Sequence, residues 1–124
     1  MIYLANPYSH PKVMIREQRF RAACVAAAQL LASGLTVFSP IVHGHPLVCH
    51  GLPTEWPFWE RFNRDHLWRC DEVVVLTLDG RRESVGVTAE IEMAGELGKP
   101  VRPLALGGPA VSPKLAHVAT EAVR

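Results

Sequence analysis

Residues 72–100 read EVVVLTLDGRRESVGVTAEIEMAGELGKP, and this stretch decides the fold. Its first part, Glu72 to Leu78, is a continuous β-branched and apolar run, which is typical of a strand covered on both faces. A loop follows, and a helix is predicted from about Val87 to Leu97, where Gly98 ends it. A carboxylate in the first turns of that helix would stand at the mouth of a parallel sheet.

The N-terminal part of the chain repeats this alternation of strand and helix. Ile2 to Ala5 is a short apolar run, and turn residues follow it from Asn6 to Pro11. Apolar residues recur at helical spacing from about Val13 to Ser33, so an amphipathic helix is predicted, with Gly34 as its C-terminal cap. Leu35 to Ser39 is the second predicted strand.

The remaining segments are predicted from their turn residues and periodicity. Ile41 to Pro53 contains three histidines, two prolines and two glycines without a clear period, which favours a long functional loop. A helix is predicted from Thr54, as N-cap, to Arg69. Val101 to Leu106 is a fourth strand, and Pro103 inside it indicates an edge or a bulge. Ser112 to Val123 is predicted to form a last helix.

This alternation predicts an open α/β fold in which helices wrap a parallel sheet of four to five strands. With 124 residues, 48% of them apolar, the chain is expected to form a single domain. Ligands of such sheets bind beyond the carboxyl ends of the strands, near the point where the strand order reverses. Three predicted loops meet there, at 6–11, 39–53 and 79–88.

Charge and cysteine content limit the class of partner. Thirteen basic and twelve acidic residues give a formal charge of +1, which offers no reason to expect a nucleic acid polymer or a membrane surface. Cys24, Cys49 and Cys70 are odd in number and lack C-x-x-C spacing, so buried free thiols are expected. No apolar run approaches the ~20 residues that span a bilayer. We therefore expect a cytoplasmic protein whose partner is a small molecule.

The loop before the predicted helix carries Ser84, Gly86 and Thr88. Backbone N–H groups at a helix start favour an anion such as phosphate, although Ser and Thr there usually serve as caps. Glu90 and Glu92 follow in the first turns, where they stabilise the helix dipole or, alternatively, supply a nucleophile or general acid. Since they face different sides of the helix, only one can serve a site.

These residues carry a resemblance to a known family. SVGVTAEIEMAGELGKPV, at 84–101, resembles the S-x-G-x-x-x-E-[IL]-x-x-A-x-x-x-G-K-P signature of the nucleoside 2-deoxyribosyltransferase superfamily, which includes 2′-deoxynucleoside 5′-phosphate N-hydrolases. IYLANPY at 2–8, DHLWRCDEVVVL at 65–76 and the LDG turn at 78–80 are also similar to it. The resemblance covers most of residues 1–106 and leaves the tail, 107–124, outside.

The resemblance implies a flavodoxin-like sheet and cleavage of an N-glycosidic bond without metal or cofactor. By position, Glu90 matches the nucleophile that attacks C1′ and forms a glycosyl-enzyme. Ser84 and the amides near Gly86 match the part that holds a 5′-phosphate in the hydrolases. Asn6 and Tyr8 match the loop that lines the sugar and phosphate site. Members commonly form dimers or larger homo-oligomers in which a neighbouring chain completes the pocket.

One position departs from the family pattern. The family has an Asp eight residues before the Asp of its C-D motif, and Asn63 stands there in this chain. An amide can hydrogen-bond a sugar hydroxyl or a base, but it cannot exchange a proton as a carboxyl does. Asp65 lies ~200° around the helix from Asn63 and points away. Asp79, at the end of the third strand, is the expected substitute.

Other chemistry-bearing residues leave alternatives open. His43, His45, Cys49 and His50 match no zinc-binding spacing, so lid or surface histidines are expected and no metal site. The three tryptophans either stack on a base or belong to the core. Arg81 and Arg82 either help to hold a phosphate or are solvated.

Three hypotheses about function follow from these observations. The first is a nucleoside or nucleotide N-glycosidase or 2-deoxyribosyltransferase-like enzyme. The second is a nucleotide-binding or sensing module that has kept the fold and lost the chemistry, which Asn63 favours. The third is a purely structural α/β domain.

Overall fold

The computed structural model describes residues 1–106, which form four strands and four helices. The strands are β1 (Ile2–Ala5), β2 (Val37–Phe38), β3 (Glu72–Leu76) and β4 (Val101–Leu104); the helices are α1 (Val13–Ala32), α2 (Pro40–Val48), α3 (Trp56–Arg69) and α4 (Val85–Glu96). The helix predicted for Ser112 to Val123 lies outside the described residues.

The sheet is entirely parallel, with strand order β2-β1-β3-β4. The chain is therefore an open α/β fold of the flavodoxin-like kind, as predicted, and the strand order reverses between β1 and β3. Pro103 pairs with Val75 in the edge strand β4, where a residue without a backbone N–H is tolerated. The carboxyl ends of β1 and β3 thus form the crevice in which a ligand site is expected.

The two faces of the sheet are covered by different helices. Along β1 the side chains alternate, so Ile2 and Leu4 pack with α1, while Tyr3 and Ala5 pack with α3 and α4. β3 follows the same alternation, and its valines and leucine are all buried. Every residue of the two central strands is buried, which explains their continuous apolar runs. The alternation also directs Tyr3 toward α4.

The prediction of a long loop from Ile41 to Pro53 was wrong, because most of it is the helix α2. Ser39 caps this helix by accepting a hydrogen bond from the Val42 N–H at 3.1 Å, and Pro40 occupies its first turn. Ser followed by Pro is a helix-start signal. The prediction overlooked this signal because the histidines and Pro46 suggested a loop. A short helix nevertheless tolerates a proline and shows little apolar periodicity.

Smaller corrections concern helix starts and the thiols. Helix α4 begins at Val85, two residues before the predicted start, and Glu55 rather than Thr54 is the N-cap of α3. Among the cysteines, only Cys70 is buried, whereas Cys49 is exposed. The predicted glycine caps are confirmed, since Gly34 and Gly98 adopt positive φ angles of 95° and 68°.

Candidate functional site

A cavity of about 470 Å³ opens at the carboxyl ends of β1 and β3. It is lined by the loop after β1, by α2, by the start of α3 and the segment before it, and by the start of α4. Six of the predicted site residues come together here: Asn6, Tyr8, Asn63, Ser84, Gly86 and Glu90. Its volume lies within the ~300–1,000 Å³ of small-molecule sites.

Glu90 is the buried carboxyl group of this cavity, with 3% of its surface exposed. Its Oε2 accepts hydrogen bonds from the Tyr3 hydroxyl and, at 3.5 Å, from Asn63 Nδ2. Its Oε1 accepts no hydrogen bond from residues 1–106. Burial raises the pKa of Glu90 to about 8, although the two hydrogen bonds act in the opposite direction. One oxygen is thus held in place while the other is left for a ligand.

Tyr3 is a site residue that the sequence analysis missed. Its side chain is fully buried on the face of the sheet that α4 covers. Burial, together with the charge of Glu90, raises its pKa well above the usual range, so the hydroxyl remains a donor. The side-chain alternation of β1 was the available signal, but the partner lies 87 residues away in the chain.

Two amide oxygens in the cavity lack partners. Asn6 donates through Nδ2 to the Pro7 carbonyl at 3.0 Å, and Asn63 donates to Glu90, while Oδ1 of each side chain is buried without a partner among residues 1–106. A buried carbonyl oxygen without a partner is costly. Both oxygens are therefore polar groups whose burial costs stability.

Tyr8, His45 and Glu17 form a hydrogen-bonded chain at the other side of the cavity. The Tyr8 hydroxyl lies 2.7 Å from His45 Nδ1, and His45 Nε2 lies 2.7 Å from the Glu17 carboxylate. The hydrogen bond from His45 lowers the pKa of Glu17, so Glu17 is an acceptor and Nε2 is a donor. Phe20 stacks on the imidazole at 4.4 Å between centroids. This chain fixes the orientation of Tyr8.

Two of the three tryptophans line the cavity. Trp56 lies so close to Gly86 that an added Cβ would be 3.2 Å from its ring, and Trp59 packs in the same way against Gly44, at 3.4 Å. Glycine at both positions lets a ring approach the backbone. Trp68 is 65% exposed, away from the site. The cavity therefore offers two large aromatic surfaces to a ligand.

Ser84 is both the cap of α4 and a cavity residue. Its side chain accepts a hydrogen bond from the Val87 N–H at 3.1 Å, which confirms the predicted capping role. Its part in holding a phosphate stays a prediction.

Three of the side chains that line the cavity are carboxylic acids. Glu55, Glu83 and Glu90 contribute carboxyl groups, and no Lys or Arg of residues 1–106 lines it. Arg81 and Arg82 are not among the lining residues. Arg19 lies nearby, but its guanidinium donates to the backbone carbonyls of the neighbouring loops.

The carboxyl group expected to replace the family Asp is not in the cavity. Asp79 is exposed and does not line the cavity, and its carbonyl, 3.4 Å from Arg19 Nη2, faces α1. Gly80, with a φ of 90°, turns the chain there and leaves room for Arg19. Asp65 and Glu92 are exposed and also lie outside the cavity. Glu90 is therefore the one buried acid that lines it among residues 1–106.

Two further properties concern the described part of the chain. Within residues 1–106, no three His, Cys, Asp or Glu side chains are grouped so that they could hold a metal ion. Over the same residues, no helix combines the length and apolarity needed to cross a membrane.

Comparison with known proteins identifies the family. No curated protein matches the chain. The family described as Domain of unknown function (DUF1937) matches residues 1–105, which is most of the sequence and includes every residue of the cavity. The chain belongs to this DUF1937 family.

Proposed function

We propose that this protein cleaves the N-glycosidic bond of a nucleoside or nucleotide, as a hydrolase or as a 2-deoxyribosyltransferase-like enzyme, with Glu90 as nucleophile. The observation that supports this most is the state of Glu90. It is buried at the mouth of a parallel sheet, held through one oxygen by Tyr3 and Asn63, with its other oxygen without a partner among residues 1–106. The motif resemblance around Ser84 to Val101 supports the same reaction.

The chemistry proceeds in two displacements. Glu90 in its ionised form attacks C1′ through Oε1 while the bond between C1′ and the base nitrogen breaks; the electron pair leaves with the base, which takes a proton from solvent. Water or the N–H nitrogen of a second base then attacks C1′, gives its proton to solvent and releases the Glu90 carboxylate. Tyr3 and Asn63 keep the carboxyl group in the geometry of attack, which is their contribution to rate.

The remaining cavity residues bind the substrate. Asn6 and Asn63 line the cavity beside Glu90, where their side chains contact the sugar. Trp56 and Trp59 provide surfaces on which a base stacks. The homodimer or larger assembly expected from the resemblance stays a prediction, which sedimentation equilibrium tests.

A second function, a nucleotide-binding or sensing module, is favoured by two observations. Asn63 cannot transfer a proton. With its pKa at about 8, Glu90 is mostly protonated at neutral pH in the unliganded protein, and a protonated carboxyl is a poor nucleophile. Binding without turnover would identify this function.

Glu90→Gln and Glu92→Gln form a matched pair that tests the proposal. Both remove one carboxylate from α4, but Glu92 is exposed and outside the cavity. We expect the first variant to lose base release at least about 100-fold and the second to keep it, because the nucleophile contributes a full covalent step. Chromatography of free base from a nucleoside and nucleotide panel, with thermal-shift binding in parallel, gives the readout. Equal activity of the two variants would overturn the assignment, and binding without base release by the wild type would support the sensor.

A further inference from the structure

The cavity has an electrostatic character that the proposed reaction does not require. Glu55 and Glu83 lie at its exposed rim and Glu90 at its buried end. No Lys or Arg of residues 1–106 lines it. The carboxylates of Glu55 and Glu83 at the rim attract positive charge and repel a phosphate, whereas the helix starts that line the cavity act in the opposite direction.

The aromatic surfaces of the cavity favour the same charge. Trp56 and Trp59 line it from the start of α3, and their rings pack against α4 and α2 respectively. An indole face attracts a cation through its quadrupole, most strongly where water is excluded. Carboxylates combined with tryptophan faces are therefore complementary to a delocalised organic cation.

The proton donors near Glu90 also favour a cationic substrate. A neutral base leaves more readily when a placed acid gives it a proton. Asn63 cannot supply one, and the Tyr3 hydroxyl is directed to Glu90. The Tyr8 hydroxyl faces His45, and both ring nitrogens of His45 are engaged, by Tyr8 and by Glu17. A base that already carries a positive charge needs no proton to leave.

We propose that the substrate is an N-glycoside whose leaving base is cationic and which carries no 5′-phosphate, such as an N-ribosyl pyridinium. This inference rests on the proposed function of Glu90. The Glu90 carboxylate, ionised beside the bound cation, bonds to C1′, the electron pair of the C1′–N bond neutralises the base, and the neutral pyridine departs. Water then attacks C1′, the Glu90 carboxylate is released, and one proton goes to solvent. Atoms and charge balance without an acid catalyst or another reactant.

A cationic substrate also prepares the nucleophile. The buried Glu90 carboxyl is protonated at neutral pH because burial disfavours its charge. A positive charge bound beside it favours the ionised form, so the pKa falls when the substrate binds. A neutral substrate gives no such assistance.

Nicotinamide riboside and its reduced dihydro form test charge selectivity, because they share sugar and ring but differ in charge. By calorimetry, we expect the Glu90→Gln variant to bind the cationic riboside at least about tenfold more tightly than the reduced riboside. This ratio is the size expected for a desolvated cation–π contact with a neighbouring carboxylate. Adding Glu83→Gln, at an exposed position, should reduce this ratio severalfold. Nicotinamide mononucleotide should bind more weakly than the riboside.

Turnover separates this inference from the function on which it rests. Release of nicotinamide by the wild type, faster than release of adenine from adenosine or deoxyadenosine, supports the inference. Release of adenine without release of nicotinamide, or equal binding of the charged and reduced ribosides, overturns the inference and leaves the proposed function standing. Release of no base from any compound overturns both.

Discussion

Glu90 holds a proton in the folded protein at pH values where the unfolded chain releases it. Its pKa is raised from an ordinary value of 4.5 to about 8, with burial as the largest cause. The stabilisation from this bound proton is fully present below pH 4.5 and is lost as the pH rises toward about 8. The burial that keeps Glu90 away from water therefore lowers the stability of the folded protein at high pH.

This linkage gives a prediction for Glu90→Gln, which keeps the shape and removes the titration. Between about pH 4.5 and pH 8, the wild type should lose on the order of a few kcal/mol of unfolding free energy relative to the variant. Urea denaturation at several pH values measures the difference. A difference that stays constant across this range would show that Glu90 ionises freely in the folded protein.

Tyr3→Phe tests the hydrogen bond that holds the nucleophile. The change preserves the buried ring and removes the donor to Glu90 Oε2. We expect base release to fall about 10- to 100-fold, the range of a charge-assisted hydrogen bond. Because that hydrogen bond lowers the pKa of Glu90, the rise of kcat/KM with pH should also shift to higher pH. An unchanged pH profile would mean that Tyr3 has only a packing role.

Helix α2 brings His45 into contact with two other elements. His45 bonds to Tyr8 in the loop after β1 and to Glu17 on α1, and the residue is only 7% exposed. One side chain therefore connects α2, α1 and a loop that lines the cavity. The orientation of Tyr8 depends on this connection.

His45→Ala should destabilise the protein by about 1–3 kcal/mol, because it removes a buried ring that packs against Phe20 and leaves the Tyr8 hydroxyl without its partner. Nucleoside binding should weaken as well, since Tyr8 is no longer held. His50→Ala, at an exposed position, is the control and should change stability by less than about 0.5 kcal/mol. Thermal unfolding and calorimetric titration provide the two readouts. Equal effects of the two changes would contradict the role of His45.

The elements that were predictable carry strong local patterns. β3 is a run of buried apolar residues, Gly34 and Gly98 take the positive φ that ends a helix, and Pro103 marks the edge strand. Helix α2 was not predictable in this way, because its stability comes from its contacts with α1 and β1 rather than from periodicity.

The site was predictable where strand ends place residues together. Asn6, Asn63, Ser84 and Glu90 meet in one cavity because they follow or face the carboxyl ends of β1 and β3. Asp79 also follows β3, yet its loop turns toward Arg19 of α1. Contacts of Tyr3 and His45 with partners far away in the chain have no local signature, so sequence patterns could not reveal them.

For the molecule as a whole, the strand order sets the position of the chemistry. The reversal between β1 and β3 opens a crevice, and α2, α3 and α4 supply its walls. Although the chain carries a formal charge of only +1, three of the side chains of residues 1–106 that line the crevice are carboxylic acids. The net charge of the protein therefore does not predict the charge of the ligand, whereas the acidic side chains that line the cavity do.

A covalent adduct on Glu90 tests the proposed mechanism most directly. 2′-Deoxy-2′-fluoroarabinosyl nucleosides with purine, pyrimidine or nicotinamide bases slow the release of a glycosyl-enzyme, so the intermediate accumulates. Mass spectrometry of the intact protein and of its peptides should find one added fluoroglycosyl group, located at Glu90 and missing from Glu90→Gln. Base release by the wild type without such an adduct, or with an adduct at another residue, would contradict a Glu90 nucleophile.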